Sequence, residues 1–232
     1  LGLSAAPVLT VQRAAAAKLV VSIRQGERQV AQNDWDLWVY PVPAAPVASG
    51  IRRADCIDQA LLDHLAKGGD ALIGLPGASV ANYAERPVKL GFSSIFWNTL
   101  WTEGQPPTTL GVHCDPAHPA LADFPTETHS NWQWWYLMHR AGALRLDLLP
   151  QGVEPIVRVI DDWFTARPLG LVVELAVGKG RAIVCGFALE GPQAQDPVSR
   201  QMTASLERYM RGGGFAPKVE ATVEQLRSLA SS

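Results

Sequence analysis

From Val8 to Tyr40 apolar and polar residues alternate as they do along half-buried strands: VLTVQ, then KLVVSI, a polar RQGERQ turn region, and DLWVYP. Gly26 marks the turn, so the segment reads as a hairpin or as the last strands of a sandwich. A few strands do not close a sandwich alone, so these residues are expected to complete something larger. Pro41, Pro43 and Pro46, set among small residues, then break the pattern in the manner of a linker.

After the break the period lengthens. In Asp55–Lys67, DCIDQALLDHLAK, the residues Ile57, Leu61, Leu62 and Leu65 fall on one helical face, and Gly68-Gly69 supplies the stop. DALIGLP comes next as a short buried strand. Helix, Gly-Gly and apolar strand in succession signal an α/β unit, and the fold class expected is α/β: a mostly parallel sheet with helices on both faces, preceded by a few strands of a β-sandwich. Further strands are expected at Ser94–Asn98, Thr109–Cys114, Leu144–Leu148 and Ile156–Ile160. LGLVVELAV and RAIVCGFAL flank Gly178-Lys179-Gly180 and predict an antiparallel hairpin closing one edge. Val198–Met210 predicts an amphipathic helix burying Met202, Leu206, Tyr209 and Met210, and Val219–Ala230 a last, exposed helix. The sequence contains no internal repeat and no low-complexity segment.

Composition narrows the function classes. A chain of 232 residues with 47% hydrophobic content builds a real core, so disorder is not expected. A net charge of -2 and a pI near 6.2, with scattered arginines, give no basic field for nucleic acid. No apolar run approaches the roughly 20 residues that span a bilayer, so no membrane partner is expected. The opening LGLSAAPVLT is not an intact secretory signal and reads as the start of a fragment or a processed chain. Cys56, Cys114 and Cys185 are odd in number, far apart and without a C-x-x-C pair, which reads as free thiols and leaves the compartment open.

Candidate chemistry concentrates in Thr109–Trp135, TLGVHCDPAHPALADFPTETHSNWQWW, where a strand-like run ends in His113 and Cys114 and a Pro-punctuated loop begins. A thiol at a strand end with histidines nearby makes Cys114, with His113 or His129, a candidate nucleophile and base. A nucleophile elbow wants glycine two residues to either side, however, and Val112 and Pro116 stand there. His113, His118 and His129 with Asp115 or Glu127 have metal-ligand types but no recognised ligand spacing. Glu127, Asp161, Asp162 and Glu174 are available for glycosidic cleavage, with nothing in the sequence pairing them across a cleft. Asp161-Asp162 reads better as the end of a strand and a cap for the residues just after it. Among Trp97, Trp101, Trp132, Trp134 and Trp135, the last three stand at i, i+2 and i+3 and cannot all face one way, so part of that cluster is core. Phe124, Trp134 and Trp135 are expected to anchor the loop in the core. Trp97, His118, Glu127, His129, Asn131 and Trp132 are the expected ligand-contacting set. No metal site and no cofactor is expected.

The blocks NDWDLWVYP, IFWN, TLGVHCDPAHPAL, FPTETHSNWQWW, PIVRVIDDWF and LGLVVELAVGKGRAIVCGF together resemble the C-terminal region of bacterial enzymes of glycoside hydrolase family 2, the β-galactosidase-like group, from about Leu19 to about Pro217. The resemblance implies an order of parts. Residues 1–45 would be the terminal strands of an immunoglobulin-like β-sandwich and a linker. Residues 46–217 would be a module similar to the class I glutamine amidotransferase (flavodoxin-like) fold, and residues 218–232 a tail or helix. It also implies an accessory, noncatalytic role, with a barrel and sandwich of the parent glycosidase or a second subunit as partner, and it favours a periplasmic or extracellular setting. The catalytic Asn-Glu dipeptide of that family occurs nowhere in the sequence. Two other readings stand beside this one: an independent amidotransferase-like hydrolase using Cys114, and a stand-alone carbohydrate-binding module that contacts a saccharide through its tryptophans.

Overall fold

The computed structural model describes residues 10–42, 50–91 and 107–231. The expected strand Ser94–Asn98, with Trp97, and Trp101 lie outside the described residues. The alternation near the start of the chain becomes an antiparallel hairpin of β1 (Ala15–Gln25) and β2 (Arg28–Val39), turned at Gly26 with φ +62. Its register puts Ala15, Ala17, Leu19, Val21 and Ile23 on one face with Ala31, Trp35, Leu37 and Val39, among which Asn33 is the polar exception. The other face is mixed: beside Val20 and Trp38, Lys18 Nζ reaches Asp34 at 2.5 Å and Asp36 at 2.8 Å, and Ser22 Oγ donates to Gln32.

The strands among the remaining described residues form one sheet. Its strands are β3 (Arg52–Ala54), β4 (Asp70–Gly74), β5 (Gly111–Cys114), β6 (Leu144–Arg145), β7 (Val157–Ile160), β8 (Leu169–Val177), β9 (Gly180–Cys185) and β10 (Glu220–Ala221). The spatial order is β3-β4-β9-β8-β7-β5, with β6 and β10 also pairing to β8. The architecture is therefore mixed α/β, and the expectation of a mostly parallel sheet is corrected. β3, β4 and β9 run parallel, as does β10 beside β8, but β9, β8, β7 and β5 run antiparallel. A tight turn at Gly178 (φ +60) and Lys179 joins β8 to β9, and strands joined this closely pair only antiparallel. The β8–β9 hairpin does not close an edge. It is the centre of the sheet, as its almost unbroken buried run requires.

Alternation along these central strands makes two apolar faces. Leu72, Val172, Ile183 and Cys185 meet α3 (Pro197–Arg211) through Met202, Leu206, Tyr209 and Met210. Ile73, Val173, Leu175 and Val184 meet α1 (Gln59–Ala66) through Leu61, Leu62 and Leu65. Asp58 accepts from Leu61 N at 2.7 Å and caps α1, so Ile57 falls before the helix rather than on its face. Leu144–Leu148 is strand for two residues only, because a 3-10 turn takes over at Leu146. The last segment also differs from expectation. Glu220–Ala221 joins β8, a capping box at Thr222 and Gln225 starts α4 (Val223–Ser228), and Leu226 and Leu229 are fully buried.

The hairpin is attached at its base. Trp38 meets Trp132 edge to face with centroids 5.4 Å apart, Trp132 Nε1 donates to Asp36 O at 3.0 Å, and Tyr40 stacks beside buried Phe124. Beyond that attachment, Leu19, Val21, Ile23 and Trp35 stand about half exposed or more, from 47% to 62%.

Candidate functional site

Built upward from β5, the segment carrying Cys114 is a closed sheet edge. Cys114 N donates to Thr128 O and Ser130 N to Val112 O, so residues 128–130 lie along β5 as a further short strand, with His113 opposite His129. Alternation then turns Val112 and Cys114 inward and His113 outward. Cys114 does not sit at the carboxyl end of a parallel strand, because β5 runs antiparallel to β7. Its Sγ donates to the Glu127 carbonyl at 3.3 Å, and burial, followed by the Asp115 charge, pushes the thiol up to about 11. Burial and the upward shift both work against the thiolate that a nucleophile requires. His113 is exposed on the opposite side of the strand, as is His129 across from it.

The remaining candidates divide into separate structural duties. His118 Nδ1 accepts from Ala120 N at 3.1 Å, capping the turn Pro119–Leu121, while its ring meets Tyr209 edge to face. Asn131 caps the turn Trp132–Trp134 by accepting from Gln133 N, and donates to Glu127 Oε2 at 2.9 Å; His129 Nε2 stands 3.5 Å from the same oxygen. Glu127, His129 and Asn131 are thus brought together on the surface. His118 is tied instead to α3, and Trp132 to the hairpin. Trp97 lies outside the described residues. Trp134 and Phe124 are fully buried, as expected of loop anchors, but Trp135 is corrected: it is 52% exposed, the first residue of α2 (Trp135–Met138), and stacks on His139 at 5.3 Å. Helical rotation separates neighbouring tryptophans onto different faces.

The carboxylates considered for sugar chemistry are likewise engaged. Asp161 receives Arg167 Nε at 2.8 Å, Nη2 at 3.0 Å and Arg167 N at 2.8 Å. Burial works to raise its carboxyl, yet these donors together hold it below its ordinary value. Asp162 accepts from Phe164 N, Thr165 N and Thr165 Oγ1, which is the cap expected of this pair. Glu174 accepts from Tyr209 Oη at 2.8 Å. Among the described residues no three His, Cys, Asp or Glu converge as a metal-ion ligand set, and no helix is long and apolar enough to cross a membrane.

Gln133 and Tyr40, which the sequence pattern does not single out, join the parts. Gln133, a lone polar residue inside the aromatic segment NWQWW, is buried, and its Nε2 donates to Tyr40 Oη at 2.7 Å and Pro125 O at 3.1 Å, while its Oε1 has no partner among the described residues. A polar side chain between tryptophans is the signal that something must meet it.

Fold and site together define a mixed α/β module with an attached β-ribbon. The chain belongs to the family described as a domain of unknown function, DUF8487, whose model matches residues 53–231. That match takes in nearly the whole sheet from β3 onward, β10 and α4 included, and leaves the β1–β2 hairpin outside. No curated protein matches the chain.

Proposed function

We propose that this chain is a noncatalytic accessory module of a larger carbohydrate-active enzyme similar to glycoside hydrolase family 2, and that it acts by packing against other β-strands. The observation that carries the reading is the hairpin's apolar face. Leu19, Val21, Ile23 and Trp35 form a continuous apolar patch on a two-stranded ribbon whose other face is salt-bridged and mixed, with Lys18, Ser22, Gln32, Asp34 and Asp36 beside Val20 and Trp38. Ribbons of that kind are marginal alone, and exposed contiguous apolar surface marks an interface.

The size of the face favours one kind of partner. Strands of 11 and 12 residues at about 3.3 Å per residue make a face about 36 Å long and about 10 Å wide, or on the order of 400 Å². Two such faces packed on each other fall short of the roughly 1,200 Å² at the lower end of stable interfaces. A pair of hairpins is therefore a poor solution, and a full sheet that also extends the ribbon's edges is a good one. The terminal strands of an immunoglobulin-like sandwich fit this requirement, with residues 1–45 as sandwich and linker, residues 46–217 as the α/β module and residues 218–232 as its terminal segment. The parallel unit β3, α1, β4 supports kinship with the amidotransferase or flavodoxin-like arrangement, and the antiparallel half is a departure from it. The buried state of Cys114 and the structural duties of His118, Glu127 and Asn131 support a noncatalytic role. The family resemblance favours a periplasmic or extracellular setting.

The test is a pair of charged substitutions, Leu19→Asp and Trp35→Asp. In the 232-residue chain both leave the melting temperature of the α/β module within about 1 °C, because the side chains touch little there. In the native polypeptide they uncouple the hairpin from its partner strands and lower glycosidase activity. The 232-residue chain itself turns over no aryl glycoside. Turnover by this chain that one carboxylate substitution abolishes would overturn the reading.

A further inference from the structure

A cleft of about 840 Å³ opens where the base of the hairpin meets α3. Arg13, Trp38 and Tyr40 line it from the hairpin side, and Arg200 and Arg208 from the helix. Its volume lies within the range of small-molecule sites. Three features of its lining point to one ligand chemistry.

The first is charge. Arg208 pairs with the Asp123 carboxylate at 2.5 Å. Asp196, the other carboxylate near by, accepts from Ser199 N and Oγ as the cap of α3. Arg200 donates to the backbone carbonyl of Gln195, and among the described residues neither Arg200 nor Arg13 has a carboxylate partner. In a chain of net charge -2, Arg13, Arg200 and Arg208 set against the carboxylates Asp123 and Asp196 leave one positive charge in excess at the cleft, a local cationic bias.

The second is a spare donor. Pro125 O only accepts, so the Gln133 atom facing it is the amide nitrogen, and that same nitrogen faces Tyr40 Oη. The tyrosine oxygen is therefore the acceptor in that bond. Its own proton has no acceptor among the described residues. Burial, before the Asp196 charge, pushes this phenol up to about 12, so it stays a donor at neutral pH. The third is an aromatic wall. The Trp38 indole is held in place by its edge contact with Trp132.

We infer that this cleft binds a small ring-bearing oxyanion, a carboxylate or a phosphate or sulfate ester, whose anionic group is held by Arg13, Arg200 and the Tyr40 hydroxyl while its ring lies along Trp38. The inference is independent of the accessory role argued above, since it concerns donors within this chain alone.

Titration calorimetry on the protein, with intrinsic tryptophan fluorescence in parallel, tests it using benzoate, phenyl phosphate, inorganic phosphate and phenol. The expected result is saturable binding of benzoate or phenyl phosphate, at least tenfold tighter than phenol and than inorganic phosphate. The comparison of the two ring-bearing probes tells a carboxylate site from an ester site. Arg13→Gln combined with Arg200→Gln weakens binding at least tenfold at an unchanged melting temperature, and Tyr40→Phe weakens it several-fold while lowering the melting temperature, because the buried Gln133 amide loses its acceptor. Arg13 is exposed, so Arg13→Gln alone remains informative if the double variant is unstable. No saturable binding, binding that the arginine variants leave unchanged, or equal affinity for inorganic phosphate and the ring-bearing probes would each overturn the inference.

Discussion

The Cys114 thiol donates to the Glu127 carbonyl from a site that is 2% exposed, so a thiolate there would carry its charge without a hydration shell. Cys185 is in the same position with its thiol pushed up further, whereas Cys56 is exposed. A thiol-exchange reagent at pH 8 is expected to titrate Cys56 rapidly and the other two only after denaturation; rapid reaction of Cys114 would restore it as a nucleophile. The same shift sets an alkaline limit. Up to its ordinary value of 9.0 the thiol is protonated in both folded and unfolded chains and its contribution is intact; as pH rises from there towards about 11 the unfolded chain releases the proton first and stability falls. Melting temperatures from pH 8 to 11 should decline less steeply in Cys114→Ala than in the wild type. Asp161 has the opposite sign: its lowered carboxyl contributes above the ordinary carboxylate range and loses that contribution in acid. Arg167→Ala leaves that carboxylate buried and unpaired, with an expected cost of about 3 kcal/mol in urea unfolding; a cost below about 0.5 kcal/mol would mean that the ion pair holds nothing. At this scale the cap formed by Asp162 was legible, because short carboxylates after a strand have a local use. The exposure of Trp135 was not, because helical rotation of neighbouring tryptophans depends on where the 3-10 turn gives way to α2.

Elements were legible where one period ran long enough. The β1–β2 alternation, the body of α1, β4 and α3 follow from local pattern, and Gly26 marks the hairpin turn; the start of α1 does not, since the pattern opens the helix at Asp55 whereas Asp58 caps it. Direction and position in the sheet were not, since parallel pairing and central placement depend on contacts distant in sequence. β8 takes β9 along one edge and β7 along the other, and its buried run records only that both faces are covered. The burial of Leu226 and Leu229 likewise follows from β10 docking beside β8, which two strand residues cannot announce. The contact between Trp132 and Trp38 predicts a separable hairpin. Trp132→Ala removes an aromatic pair and a hydrogen bond, on the order of 1–2 kcal/mol, so amide exchange across β1 and β2 should quicken about tenfold while β8 and β9 stay as protected as before. Equal quickening in both sheets would mean that the hairpin and the module form one cooperative unit.

For the whole molecule, the decisive feature is a ribbon that leaves the matched family domain with an apolar face uncovered. Burying Leu19, Val21, Ile23 and Trp35, each already about half covered, would add on the order of 1 kcal/mol apiece to an association. The most direct test is hydrogen exchange of the hairpin in the larger enzyme proposed above, taken as the native polypeptide, against the same residues in the 232-residue chain. The account predicts that amides of β1 and β2 around Leu19, Val21 and Trp35 exchange at least a hundredfold more slowly in the native polypeptide, while those of β8 and β9 exchange alike in both. Hairpin amides that exchange equally fast in the two would contradict it.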